Sequence, residues 1–209
     1  MCQSHNKMRK IYHIIIILTL IGCSSSKSDM LQSNLTTIQV FKDSEIQDLS
    51  IILNFFNKQI CKTPQVVIAR IDDCYKSFFE RMKKTGETGN IEIKIPFIEQ
   101  QKMYETISDS TFNQIWYLGK SWNTDSTATL KHLGLRYNGK YADFLKKTGK
   151  ENKVIESYYK SFEASGAISP PMVAGLLMNY KVYEVQDIRI QLIVAIHYLT
   201  MNDQYKRKE

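Results

Sequence analysis

The chain has 209 residues, with 28 basic and 21 acidic side chains and a formal net charge of +7. Its 12 Tyr, 9 Phe and 2 Trp exclude a disordered polar chain, and the length suits one sizeable domain with its own core. The basic excess is not gathered into a face, and the tail Lys206-Arg207-Lys208 is too short and terminal to argue one, so no nucleic-acid partner is expected.

The N-terminal stretch holds Lys7, Arg9 and Lys10 and no acid, and an apolar run follows from Ile11 to Gly22. A helix over that run would reach about 18 Å at roughly 1.5 Å per residue. The hydrocarbon core of a bilayer is about 30 Å thick, so the run is short for a span and has signal-peptide proportions. It closes on Leu20-Ile21-Gly22-Cys23. A secretory peptidase site wants small residues in an A-x-A-like pattern, which Ile21 fits poorly. The four residues instead resemble the lipobox of bacterial lipoproteins.

That resemblance covers residues 1–23 and implies a specific processing. Residues 1–22 would be a signal peptide, removed to leave Cys23 as the acylated N-terminus. The membrane is then a partner through the lipid on Cys23, since two or more acyl chains hold stably where one is marginal. Ser24, rather than an aspartate, follows the cysteine, which leans toward the outer membrane facing the periplasm, with surface display left open. Residues 23–38 read as a lipidated flexible tether that starts Ser24-Ser25-Ser26-Lys27-Ser28-Asp29. Removing a leader with three basic residues and no acid takes the formal charge from +7 to +4.

The globular domain is expected over 39–204, with a basic tail at 205–209. Its first helix begins with a capping-box pattern, Ser44-Glu45-Ile46-Gln47, and carries Ile46, Leu49, Ile52, Leu53, Phe56 and Ile60 on one face. It ends near Cys61, before Thr63-Pro64. Asp72 can cap a second helix with Tyr75, Phe78, Phe79 and Met82, stopped by Gly86-Glu87-Thr88-Gly89. Between them Val66–Ala69 has a strand composition, and Ile91, Ile93 and Ile95 alternate with Glu92 and Lys94, which allows one short β-ribbon from 66–69 and 91–95. Pro96 suits the first turn of a helix over 97–107. Ser108 opens another that carries Phe112, Ile115, Trp116 and Leu118 to Gly119, and Lys120–Thr129 reads as a polar loop.

Asn138-Gly139 marks a turn, and Tyr141–Lys147 and Val154–Phe162 read as helices, the second capped by Gly166. Ser169-Pro170-Pro171 starts a shorter helix to Met178. Asp187 can cap the last helix, in which Ile188, Ile190, Leu192–Ile196, Tyr198, Leu199 and Met201 cover most of the circumference. Such a helix belongs at the centre of a core. The 34-residue tetratricopeptide period is absent. The expected fold is therefore mainly α, a single compact multi-helix domain with room for one short β-ribbon.

Four cysteines reduce to two once Cys2 leaves with the leader and Cys23 carries lipid. Cys61 and Cys74 remain, in a compartment that allows disulfides; a bridge across the helical hairpin is the expectation, two buried thiols the alternative. No CxxC or HxxxH spacing points to zinc, so no metal or cofactor is expected. No G-x-S-x-G elbow, Walker loop, H-E-x-x-H or dinucleotide fingerprint occurs. Outside the leader only His132 and His197 remain, and His197 reads as a polar-stripe or interhelical hydrogen-bonding residue. Asp72-Asp73 reads as a helix cap, Glu156 and Glu163 as a solvated face, and Trp116 as core.

Trp122, in the polar loop, and Lys140, in Tyr137-Asn138-Gly139-Lys140-Tyr141, are the candidate partner-binding residues. The Gly166–Pro171 stretch can also be a partner epitope. The reading is a lipid-anchored cell-envelope protein without catalytic residues, a protein-interaction module with an unknown protein partner. One concrete version is an immunity-type lipoprotein that neutralises a toxin delivered into the periplasm. The alternative is a cell-wall-directed hydrolase with dispersed carboxylates, which would need two of them flanking one bond.

Overall fold

The computed structural model describes residues 27–62, 70–87, 93–122 and 129–207. In chain order the helices α1 (Lys27–Gln32), α2 (Leu35–Ile38), α3 (Asp43–Ile60), α4 (Ile71–Glu87), α5 (Phe97–Thr106) and α6 (Asp109–Ile115) lead into strands β1 (Trp116–Trp122) and β2 (Thr129–Leu135). Helices α7 (Lys140–Gly149), α8 (Lys153–Ser165), α9 (Pro170–Met178) and α10 (Ile188–Lys206) follow, with a 3-10 turn at Tyr180–Val182. Among the described residues the fold is mainly α with one antiparallel ribbon, the architecture that the sequence implies.

Helix α10 organises the rest. The Asp187 carboxylate accepts from the Arg189 backbone N–H at 2.8 Å and so starts the helix. Every residue from Leu192 to Thr200 is at most 1% exposed, so neighbours surround the helix on all sides. Helix α3 lays Ile46, Leu49, Leu53 and Phe56 into this core, at the i, i+3, i+7 spacing of an amphipathic helix. Helix α4 adds an aromatic edge, with Phe78 meeting Tyr198 edge-on at 4.7 Å and Phe56 at 5.4 Å. Polar side chains tie the three helices together. The Tyr75 hydroxyl donates to Asn57 Oδ1 at 2.9 Å, and Asn57 Nδ2 donates to Gln191 Oε1 at 3.3 Å.

Several local expectations shift. Helix α3 starts at Asp43 with Lys42 as its N-cap, and Glu45 accepts from the Lys42 backbone N–H at 2.7 Å; Ser44 lies inside the helix. Helix α6 starts as expected, with Ser108 Oγ accepting from Thr111 N–H at 3.2 Å, but it stops at Ile115. Trp116 is extended and fully buried, and its indole N–H donates to Thr200 Oγ1 of α10 at 2.8 Å. The helical spacing of Phe112, Ile115, Trp116 and Leu118 is thus a coincidence of a helix running straight into a strand. Leu118, which a continued helix would bury, is 56% exposed.

The ribbon therefore takes 116–119 from the expected helix and only its inner ends, 120–122 and 129, from the expected polar loop, with Tyr117 opposite Gly134 and Gly119 opposite His132. The Tyr117 and His132 rings lie over the facing glycines, where a Cβ would collide with them. For the ribbon expected at 66–69 and 91–95, residues 63–69 and 88–92 lie outside the described residues. Ile93 and Ile95 do alternate, buried around an exposed Lys94, yet they form no strand. The Ile95 carbonyl instead accepts from Asn202 Nδ2 at 3.1 Å and from Lys206 Nζ at 2.9 Å, both on α10. In the expected tether at 23–38, Lys27–Gln32 and Leu35–Ile38 are helical, and Leu31 is fully buried beside α3. The expected basic tail begins as the end of α10, where Arg207 pairs with the buried Asp203 at 2.6 Å.

Candidate functional site

The Leu20, Ile21, Gly22 and Cys23 motif lies outside the described residues. Cys61, the C-cap of α3, and Cys74, in the first turn of α4, form a disulfide with a Cα–Cα separation of 5.0 Å. It closes the α3–α4 hairpin as the sequence suggests. Lys140 opens α7, but its ammonium is committed. It binds Glu45 of α3 at 2.5 and 2.8 Å, and the carboxylate side chain is only 6% exposed. Trp122 ends β1 opposite Thr129.

Candidate acid–base groups are similarly occupied. Asp72 binds the Gln186 amide and Arg70, which pins the start of α4 to the 184–187 turn. Glu156 is held down to about 2 by hydrogen bonds from Lys160 and Lys153, so it stays ionised and is no proton donor near neutral pH. His197 is fully buried on α10, where burial depresses its pKa to about 3. Its Nδ1 shares a hydrogen bond of 3.0 Å with the Tyr158 hydroxyl of α8, while Nε2 has no partner among the described residues. Such a ring is neutral and sealed from solvent, which fits the interhelical role. Among the described residues no group of three or more His, Cys, Asp or Glu comes together to hold a metal ion. No described helix is long and apolar enough to cross a membrane.

What the structure assembles is an apolar groove. Residues 164–180 carry no charged side chain. Pro170 and Pro171 start α9 from Ser169, and Met172 and Leu176, one turn apart, are fully buried while Val173 and Leu177 pack only partly against the core. The helix therefore leaves Val173 and Leu177 half-buried and Met178 81% exposed. Opposite them stand Met201 and the 64% exposed Tyr205 of α10, with Lys83 and Glu87 of α4 on the rim. The groove encloses about 570 Å³. Exposed apolar side chains gathered along a groove are a surface that another molecule can cover. The signal was present in the sequence as the uncharged run, but its exposure depended on how α9 packs.

No known protein family, curated protein or solved structure matches the chain.

Proposed function

We propose that this is a lipid-anchored cell-envelope protein that works through protein–protein contact, with the groove between α9 and α10 as the seat for the partner. The carrying observation is the uncharged, half-exposed α9 ending in Met178. A groove walled by two helices suits the apolar face of an amphipathic helix, whose i, i+3 and i+4 anchors would replace water over Val173, Leu177 and Tyr205. Lys83 and Glu87 at the rim would fix orientation more than affinity. An immunity-type role, in which the bound helix belongs to a toxin, is one form of this reading. The hydrolase alternative gains no support from Asp72 or Glu156, whose oxygens are already bonded.

A photo-crosslinking residue at Met178 tests the reading in intact cells. A single protein should be trapped there, not from an equivalent probe at Lys160 on the outer face of α8, and Leu177→Asp should abolish the product. Equal products from both positions, or none from 178, would overturn the assignment of the groove. Palmitate incorporation that depends on Cys23 tests the anchor separately.

A further inference from the structure

The shortest α-helix among the described residues is inside out. In α2, Thr36 and Thr37 are 7% and 0% exposed, while Leu35 and Ile38 are 71% and 46% exposed. The threonines have partners: Thr37 Oγ1 donates to Asn34 Oδ1 at 3.2 Å, and Thr36 Oγ1 accepts from Arg189 at 3.5 Å. The local structure is thus satisfied by its polar face, and among the described residues Leu35 and Ile38 stand outside the hydrophobic core. A water-facing helix normally shows the opposite arrangement.

The position of α2 suggests what covers it. Cys23 and Lys27 are four residues apart, a link of at most about 14 Å fully extended. The Lys27 ammonium donates to Gln191 Oε1 at 3.3 Å, which puts the start of α1 at the N-terminal end of α10. Helix α2 follows α1 directly and packs against it. Beside α2 lies the last turn of α7, where Lys147 donates to Gln39 Oε1 at 3.2 Å and Lys146 and Lys150 are exposed. The acids on the flanking elements are the exposed Asp29 of α1 and Asp43 at the start of α3, Asp143, one turn back on α7, and Glu151, which pairs with Arg189. Two exposed aliphatic side chains edged by three lysines match the apolar and anionic layers of a bilayer surface.

Resting on the lipid-anchor reading, we propose that the α1–α2 corner is the face with which the domain lies on the membrane. Leu35 and Ile38 enter the headgroup–acyl boundary, and Lys146, Lys147 and Lys150 sit over anionic headgroups. The orientation follows. Met201 and Tyr205 lie about 15 and 21 Å further along α10 than Gln191, so the α9 groove faces away from the lipid.

The test uses the full chain associated with vesicles of phosphatidylcholine and phosphatidylglycerol whose acyl chains are brominated near the headgroup. Ile38→Trp and Leu35→Trp should each lose about half of their added emission, and Met178→Trp in the groove none. Replacing phosphatidylglycerol by phosphatidylcholine should cut the quenching at least twofold. Acylated Cys23 with unquenched Ile38→Trp and Leu35→Trp would refute the face and keep the anchor. Quenched Ile38→Trp without lipid on Cys23 would keep the face and refute the anchor. Quenching of Met178→Trp instead, or failure of the chain to associate with vesicles, would overturn the orientation.

Discussion

Acidification tests the buried imidazole of His197 most directly. In the unfolded chain a histidine titrates near 6.5. In the fold, burial lowers His197 to about 3. The groups against it are aromatic: Tyr158 from α8 on Nδ1, and Tyr198 of α10 with its ring 5.0 Å away. Among the described residues no carboxylate is bonded to the ring to stabilise an imidazolium. A depressed histidine pKa means that the unfolded chain binds a proton the folded chain refuses. The contribution is therefore nil above about pH 6.5 and turns against the fold as pH falls toward 3, at about 1.4 kcal/mol per pH unit. At pH 4.5 the loss from this one group is about 2.7 kcal/mol.

Urea unfolding of wild type and His197→Gln, at pH 7.0 and 4.5 under oxidising conditions, isolates it, because carboxylates titrate alike in both proteins. Wild type should lose about 2.7 kcal/mol more than the variant across that interval. The variant should be less stable than wild type at pH 7.0, since the Tyr158 bond is disturbed. Equal losses in the two proteins would refute the sealed-imidazole argument.

Three further outcomes follow from other parts of the fold. Gly139→Ala should destabilise by about 1–3 kcal/mol in thermal melts, because the new Cβ would strike the Gln114 backbone carbonyl oxygen where the α7 N-terminus meets α6. Lys140→Ala should cost about 1–3 kcal/mol by leaving the nearly buried Glu45 carboxylate without its cation, and Lys140→Arg should recover part of it. Cys74→Ala should cost about 3 kcal/mol in denaturant unfolding, from the unfolded-state freedom restored to a loop of sequence separation 13. A stability unchanged by reducing agent would contradict the last.

Much of this protein is written in patterns that need only neighbours along the chain. The i, i+3, i+4 spacing in α3 and α4, the caps Ser108 and Asp187, and the left-handed Gly166 that ends α8 at φ 67° are local, and each is found where the sequence puts it. The nearly continuous apolar surface of α10 likewise requires burial whatever surrounds it, and Cys61 and Cys74 fall at facing ends of one hairpin. Where two local solutions compete, tertiary contacts decide. Trp116 fits a helix face or a strand equally well, and the Thr200 hydroxyl across the core selects the strand. Ile93 and Ile95 alternate like a strand, but side chains of α10 take the backbone bond that a partner strand would need.

Lys140 looks available in a glycine-marked turn until α3 brings Glu45 to it. Residues 27–38 look like a tether because their few apolar side chains are too sparse to imply a helix, yet Leu31 finds a full pocket beside α3. The sequence by itself determined the longer helices, α3 to α5 and α7 to α10, and that α10 lies at the centre, because backbone hydrogen bonding and solvent exclusion act on local spacing. Only the tertiary structure decided which apolar side chains stay outside, leaving α9 and the Leu35–Ile38 corner exposed, because exposure depends on what packs against a face and not on the face itself.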